Sequence, residues 1–593
     1  MWPVLGVALL AVAASPARPS SKTSNVQVGR LGALRGQEMT LARTQRATAF
    51  LGIPYAKAPI GSLRFKKPQT EPWPQWDGTR DATSFRPSCK QPLNMIENGD
   101  KLGLIEKLQK PIEYSEDCLY LNIYVPDGRP PPGDWSVLIW FHPGDFSVGT
   151  PSIWDGSTLA IKQKVIVVTA SYRLNIFGFM AAIDKETPGN LGLLDQIAIL
   201  DWVQEHIKYF NGSKYDVTLW GHSAGAVSIS LHLLTELSSG KFHKAILMSG
   251  NFLSSKPIKN PLTIADIADQ VNCGKDSIKI TLEECLQNVD TDDLLKIAEG
   301  YSWGPVLPDQ NKNLMPTYLT QNPETLLLER ESVVNSVPLM MGYTDIEDVP
   351  IIDIKSDMEF QDIIKGMIED HEMIENLNTN ADNETCNDDL LTESVLFFYT
   401  PSQILEDKKM YYNKYSKLVI EKKYGSATFQ LGKYTSKKNA TYVYRFDYRL
   451  KTVGLGETKE YPGVPQQHEL PFFWGMPYWA TLSPQVTWNS QDKRTSDIVM
   501  GFLGNFTKYS RPVESKRNMQ WDALDMSSPS IFIIDKIPNM SDSEAFDYKS
   551  LSFWNDYYPK LKNQIKHCCS LINTASGFSP IKALLIIIYI FYI

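Results

Sequence analysis

The pentapeptide Gly221-His222-Ser223-Ala224-Gly225 lies between an apolar run, Val217-Thr218-Leu219-Trp220, and a helix-patterned stretch over 226–234. A strand that turns sharply into a helix exposes the serine oxygen, and it brings backbone segments too close at the turn for flanking side chains, which is why glycine is needed on both sides. Such a string also occurs in ordinary turns, so its surroundings decide its meaning. Apolar runs at 137–141, 165–170, 217–220, 245–248 and 338–343 read as buried strands of a mostly parallel sheet, with helical patterns such as 194–210 between them. The fold class predicted is therefore α/β, with a central, mostly parallel sheet and helices on both faces. The Pro-rich segment 126–133 reads as a surface loop, and the acidic, Asn-rich segment 369–389 as a solvated excursion near the site rim.

Four further strings give the pentapeptide a context: Phe50-Leu51-Gly52-Ile53-Pro54-Tyr55-Ala56, Ser115-Glu116-Asp117-Cys118-Leu119-Tyr120-Leu121-Asn122, Tyr172-Arg173-Leu174-Asn175, and Gly189-Asn190-Leu191-Gly192-Leu193-Leu194-Asp195-Gln196. Together they resemble type B carboxylesterases and cholinesterases, from about Asn25 to the Phe553-Trp554 region. The resemblance implies an α/β-hydrolase fold in one large domain over 25–560, where length alone would suggest several domains. It also implies disulfides pairing Cys89 with Cys118 and Cys273 with Cys285, leaving Cys386, Cys568 and Cys569 unassigned. One of the last two would bridge to a second subunit as a disulfide-linked dimer, pair with Cys386, or stay a free thiol.

A hydrolase of this class needs serine, acid and histidine in that chain order. Ser223 is the nucleophile position, and Glu347, in the loop after Leu339-Met340-Met341-Gly342-Tyr343-Thr344, matches the acid position, although Asp348 replaces the usual following glycine. The third member departs. In Gly463-Val464-Pro465-Gln466-Gln467-His468-Glu469-Leu470-Pro471-Phe472, the motif on either side aligns the histidine with Gln466, and His468 comes two residues late. An amide can orient a hydroxyl but cannot accept and return a proton near neutral pH. A two-residue slip moves an attachment point by roughly 6 to 7 Å, whereas a base must come within about 2.6 to 3.2 Å of the serine. His468 thus serves only if the loop is rebuilt, and His222 is the poorer candidate because its backbone is committed to the turn. The glycine-rich oxyanion loop is also altered, to Phe141-His142-Pro143-Gly144-Asp145-Phe146. The amides of Gly144, Asp145 and Ala224 remain as donors. The Asp145 carboxylate would oppose a developing oxyanion, position a water as a substitute base, or face solvent without effect.

Two changes at the chemical centre, inside a scaffold whose structural motifs are intact, predict a carboxylesterase-like protein with weak or no esterase activity, used for extracellular binding in the manner of cholinesterase-like adhesion proteins. The competing reading is an active serine esterase built from Ser223, Glu347 and a displaced His468. Partners are then an extracellular protein or a small apolar, ester-like ligand. Choline esters are disfavoured, because Leu108 stands where the cholinesterase pattern has its cation-binding tryptophan. No zinc-ligand spacing and no dinucleotide-type glycine loop appear, so no metal or cofactor is expected. A formal net charge of -8 without a sustained basic run argues against nucleic-acid binding.

The ends read as processing signals. An apolar stretch over 4–14 followed by Ser15-Pro16-Ala17 reads as a secretory signal spanning 1–17. The uninterrupted apolar run 583–593 is about half of the roughly 20 residues a spanning helix needs. With the small residues Asn573-Thr574-Ala575 and a polar spacer within 561–582, it reads as a GPI-attachment signal, the only membrane link expected. Five sequons, at Asn211, Asn383, Asn439, Asn505 and Asn539, would then be glycosylation sites on a secreted or surface-anchored chain.

Overall fold

In the computed structural model the described residues are 22–565, apart from 43, 109–111, 181–188, 255–263, 274–281, 307–317, 331–332, 348, 350–353, 355, 378–388, 401–407, 456–462, 483–485, 515–518 and 542–546. The proposed signal and tail, Asn383, Cys386, Cys568 and Cys569 lie outside them.

Continuous apolar runs become strands buried on both faces. The main sheet orders its strands as Thr23–Val28, Gly32–Ala42, Gln45–Pro54, Tyr120–Pro126, Ile166–Ala170, Trp135–Phe141, Gly212–His222, Lys244–Met248, Leu339–Thr344, Thr441–Phe446, Phe532–Ile534 and Asn539–Met540. Pairing is parallel from Ile166–Ala170 through Phe532–Ile534 and antiparallel at the N-terminal edge. Along Trp135–Phe141 the side chains alternate between two cores: Val137, Ile139 and Phe141 join one, Leu138 and Trp140 the other. In the second core the Trp140 ring lies 4.4 Å from Trp220, 5.3 Å from Trp154 and 5.2 Å from Trp474. Trp474 follows the short helix Leu470–Phe473 directly, so this aromatic cluster fixes the end of the loop that carries Gln466.

The expected helix over 194–210 is an α-helix, Leu191–His206, that tightens to a 3₁₀ turn, Ile207–Phe210. The excursion expected over 369–389 is corrected in part: residues 369–377 continue the helix Asp357–Leu377. Phe360, Ile364 and Ile368 recur at the helical spacing of four and are fully buried. They form a third core with Leu391, Val395 and Tyr399 of Asp389–Tyr399, and with Phe553 and Trp554. Both expected disulfides, Cys89–Cys118 and Cys273–Cys285, are formed.

Candidate active site

Adjacent parallel strands deliver the candidate residues from the same end. Phe141 pairs with Gly221, and His222 with Met248. The oxyanion loop, the Ser223 turn, Ser249 and Glu347 therefore leave neighbouring strand ends, where open α/β sheets bind ligands. At the turn, Ser223 adopts φ 50° and ψ −120°, a conformation an L-residue holds only under constraint. The constraint is close packing. A Cβ on Gly225 would sit 2.0 Å from the Phe141 carbonyl oxygen, and one on Gly221 2.6 Å from the Gly225 carbonyl carbon. The helix Ala224–His232 starts immediately afterwards with no side-chain cap, so its first amides lack intrahelical acceptors and point to the region of the serine.

The oxyanion loop holds Gly144, Asp145 and Phe146 at φ 131°, 50° and 58°. Gly144 is required, because a Cβ there would meet the Val148 carbonyl oxygen at 2.0 Å. Asp145 is exposed. His142 behind it is buried, stacks on Tyr172 at 4.4 Å, and is held neutral by burial that lowers its pKa to about 4.

Glu347 is 2 % exposed, at φ 37°. Its Oε1 accepts from Ser249 Oγ at 2.6 Å and from the Thr344 amide at 2.7 Å, while Oε2 is buried without a hydrogen-bond partner among the described residues. Burial first, and then the neighbouring Glu469 carboxylate, push Glu347 up to about 8. Ser249 Oγ lies 3.4 Å from Glu469 Oε1, so two buried carboxyls share one hydroxyl. The folded state keeps a proton on Glu347 that the unfolded chain, with the ordinary value of 4.5, releases earlier. This group's contribution to stability is full below pH 4.5 and lost as pH rises to about 8. The variant Glu347→Gln removes that titration, so thermal melts from pH 5 to 8 should show a smaller fall in Tm than wild type; an identical slope would contradict the raised value.

The structure puts Gln466 opposite the acid. Its amide donates to the Glu347 carbonyl at 3.2 Å, and Pro465 and Glu347 form an isolated parallel bridge. The Gln466 side chain is 6 % exposed and turned elsewhere: Oε1 accepts from Lys101 Nζ at 3.1 Å and Nε2 donates to Tyr424 Oη at 3.4 Å. Gln467, at φ 72°, takes the Lys101 amide on its Oε1 at 3.2 Å. Among the described residues His468 makes no hydrogen bond through its ring to Ser223 or Glu347, and burial lowers its pKa to about 4.

Four participants escaped the sequence reading: Ser249, Thr344, Lys101 and Glu469. Glu469 is 1 % exposed, and its Oε1 lies 2.9 Å from His222 Nε2, a close contact off the line of a full hydrogen bond. A glutamate inside the motif around Gln466 was the one available signal. Leu108 ends the short helix Leu104–Leu108 and packs on the second core beside Ile105. Of the sequons, Asn211 and Asn539 are exposed and Asn439 donates to Ser336 Oγ at 2.9 Å. Asn505 corrects the expectation: it is buried in the helix Ser490–Tyr509 with Nδ2 donating to the Pro512 carbonyl, which leaves no room for a glycan on that nitrogen in this fold. Among the described residues no His, Cys, Asp and Glu grouping could hold a metal, and no helix is long and apolar enough to cross a membrane.

Comparison with known proteins places these features in context. The sequence model of the Carboxylesterase family matches residues 21–554. A medium-chain fatty acyl-CoA hydrolase precursor of Anas platyrhynchos is 30% identical over 84% of this chain and 86% of its own length. Cholinesterase of Mus musculus is 30% identical over 89% of this chain and 86% of its own. Carboxylesterase 5A of Canis lupus familiaris is 36% identical over a shorter stretch, and the chain spans 62% of that relative's length.

Proposed function

The chain belongs to the carboxylesterase family, and from that premise we propose that it binds small apolar, ester-like ligands in the inherited pocket and turns them over slowly or not at all. The observation that supports this most is Gln466, whose amide faces Glu347 while its side chain is engaged by Lys101 and Tyr424. The nucleophile turn and the candidate donor loop remain, so a pocket with residual electrostatic stabilisation is retained without the base that would activate Ser223. Secretion, with or without a lipid anchor, and an extracellular protein partner complete the reading and rest on the terminal segments and sequons.

The test is steady-state hydrolysis of a short-chain p-nitrophenyl ester by the full chain, alongside Ser223→Ala. Removing a triad member leaves about 10³ to 10⁴-fold over water in this chemistry, and wild type should fall near that residual level. A rate several orders above Ser223→Ala would make the chain an ordinary esterase. Saturable thermal stabilisation of both proteins by the corresponding non-hydrolysed amide should accompany slow turnover.

A further inference from the structure

We propose that a cavity beside the loop closed by the Cys89–Cys118 disulfide binds a small apolar monocarboxylate, with Arg86 taking the carboxylate and a largely aliphatic wall taking the chain. The site is separate from Ser223 and does not depend on the reading of that site.

The cavity has a volume of about 370 Å³, within the size range of pockets that hold small molecules. Its walls come from separate parts of the chain. Phe85 lies on the approach to strand Ser88–Cys89, Ile105 and Leu108 on the helix Leu104–Leu108, Ile112 ahead of strand Tyr114–Ser115, and Ile153 at the end of the 3₁₀ turn Pro151–Ile153. The frame behind these residues is fixed at several points. Strand Ser88–Cys89 pairs with Tyr114–Ser115, and the disulfide ties Cys89 to Cys118. Ser88 Oγ shares a 2.5 Å hydrogen bond with Thr150 Oγ1, which also accepts from the Ser152 amide at 3.0 Å. Asp100 holds the start of the helix by accepting from the Leu104 and Ile105 amides at 2.8 and 2.7 Å. A ligand therefore enters a site already shaped, and little ordering cost is left to binding. Phe85, Ile105, Leu108 and Ile112 pack on the second core yet stay only half-buried. The surface they leave open is what an alkyl chain would remove from water.

Charge decides the class of ligand. Arg86 is exposed on the lining and forms no ion pair among the described residues. Its stem is held, because Gly52 packs so closely that a Cβ there would lie 2.5 Å from Arg86 Cγ. A second guanidinium stands near it. Burial first, and then Arg86, hold Arg80 below its ordinary value, and Arg80 Nε is buried without a hydrogen-bond partner among the described residues. Asp117 offsets this repulsion less, and its Oδ1 accepts from Tyr120 Oη at 2.8 Å. An anion placed at Arg86 would relieve the repulsion between the two cations, and a guanidinium grips a carboxylate through two parallel N–H bonds. Glu113 is the one acidic residue on the lining. It disfavours a second negative charge, which selects a monocarboxylate over a dianion such as a phosphate monoester.

Isothermal titration of the full chain with octanoate tests this, with octan-1-ol and octylammonium as neutral and cationic probes of the same length. Wild type should bind octanoate saturably and at least about tenfold more tightly than octylammonium. Arg86→Gln, which keeps a stem against Gly52, should weaken octanoate by about tenfold and leave octanol unchanged. Ile112→Trp, which fills the cavity, should weaken both. If Ile112→Trp does not fold, the exposed Arg86→Gln decides alone. Absence of saturable octanoate binding to wild type overturns the proposal. Octanoate binding that is equal in wild type and the folded variants overturns it by placing the ligand elsewhere, the Ser223 pocket included. Octylammonium binding as tight as octanoate overturns it by making Glu113 the recognising group. Turnover at Ser223 is measured separately, so failure here leaves the proposed function standing.

Discussion

Gln466→His should raise ester hydrolysis by about 10²-fold or more, the range a positioned general base contributes. The position is prepared for it. The Gln466 amide is already bonded to the Glu347 carbonyl at 3.2 Å, and Glu347 Oε2 is a buried oxygen without a partner among the described residues, the atom placed to orient an imidazole. The Leu470–Phe473 helix and Trp474 hold the loop from the other side. The gain should reside in kcat, since a base acts in the transition state and not in ground-state binding. It should vanish in Gln466→His/Ser223→Ala. Lys101, whose Nζ now meets Gln466 Oε1, would disfavour an imidazolium at this position, so a larger gain is expected when Lys101→Ala is added. No gain in either background, with the fold intact, would mean that the pocket and not the base limits turnover.

The largest expected stability loss is at Arg173. Its Nε and one terminal nitrogen, Nη2, donate to the two Asp195 carboxylate oxygens at 2.8 and 2.7 Å, and the other, Nη1, donates to the Lys66 carbonyl at 2.7 Å. Asp195 is fully buried and Arg173 3 % exposed. Removing the guanidinium leaves a carboxylate in the core with the Arg173 amide as its remaining bond, and breaking a buried pair in this way costs about 3 to 5 kcal/mol. Denaturation of Arg173→Ala should show that loss. An isosteric apolar pair, Arg173→Met with Asp195→Leu, should recover most of it, because the penalty comes from the unpaired charge. If the double variant is as unstable as the single one, the pair contributes by packing and hydrogen-bond geometry that no apolar replacement reproduces.

The parallel strands were legible because burial on both faces makes them uninterrupted apolar runs. Gly212–His222 begins five residues before its apolar run because the polar stretch Ser213-Lys214-Tyr215-Asp216 extends it past an irregularity in pairing. Pairing with Trp135, not hydrophobicity, makes that part a strand. The edge strand Thr23–Val28 escaped for a related reason: it is largely exposed and carries little apolar pattern. Helix Asp357–Leu377 was hidden by its acidic composition, although Phe360, Ile364 and Ile368 marked its buried face. At the site, Ser223, Glu347 and Gln466 were readable from flanking motifs. The contact of His222 with Glu469 was not, because it joins residues distant in sequence and only the packing of Leu470–Phe473 and Trp474 brings them together.

The most direct measurement is the pre-steady-state release of p-nitrophenol when the wild-type chain is mixed with a saturating short-chain p-nitrophenyl ester at neutral pH. A missing base at Gln466 predicts slow acylation of Ser223 and therefore no burst, in wild type as in Ser223→Ala. A rapid burst of one equivalent in wild type, absent in Ser223→Ala, would show a fully activated serine and contradict the view that Gln466 has weakened this esterase.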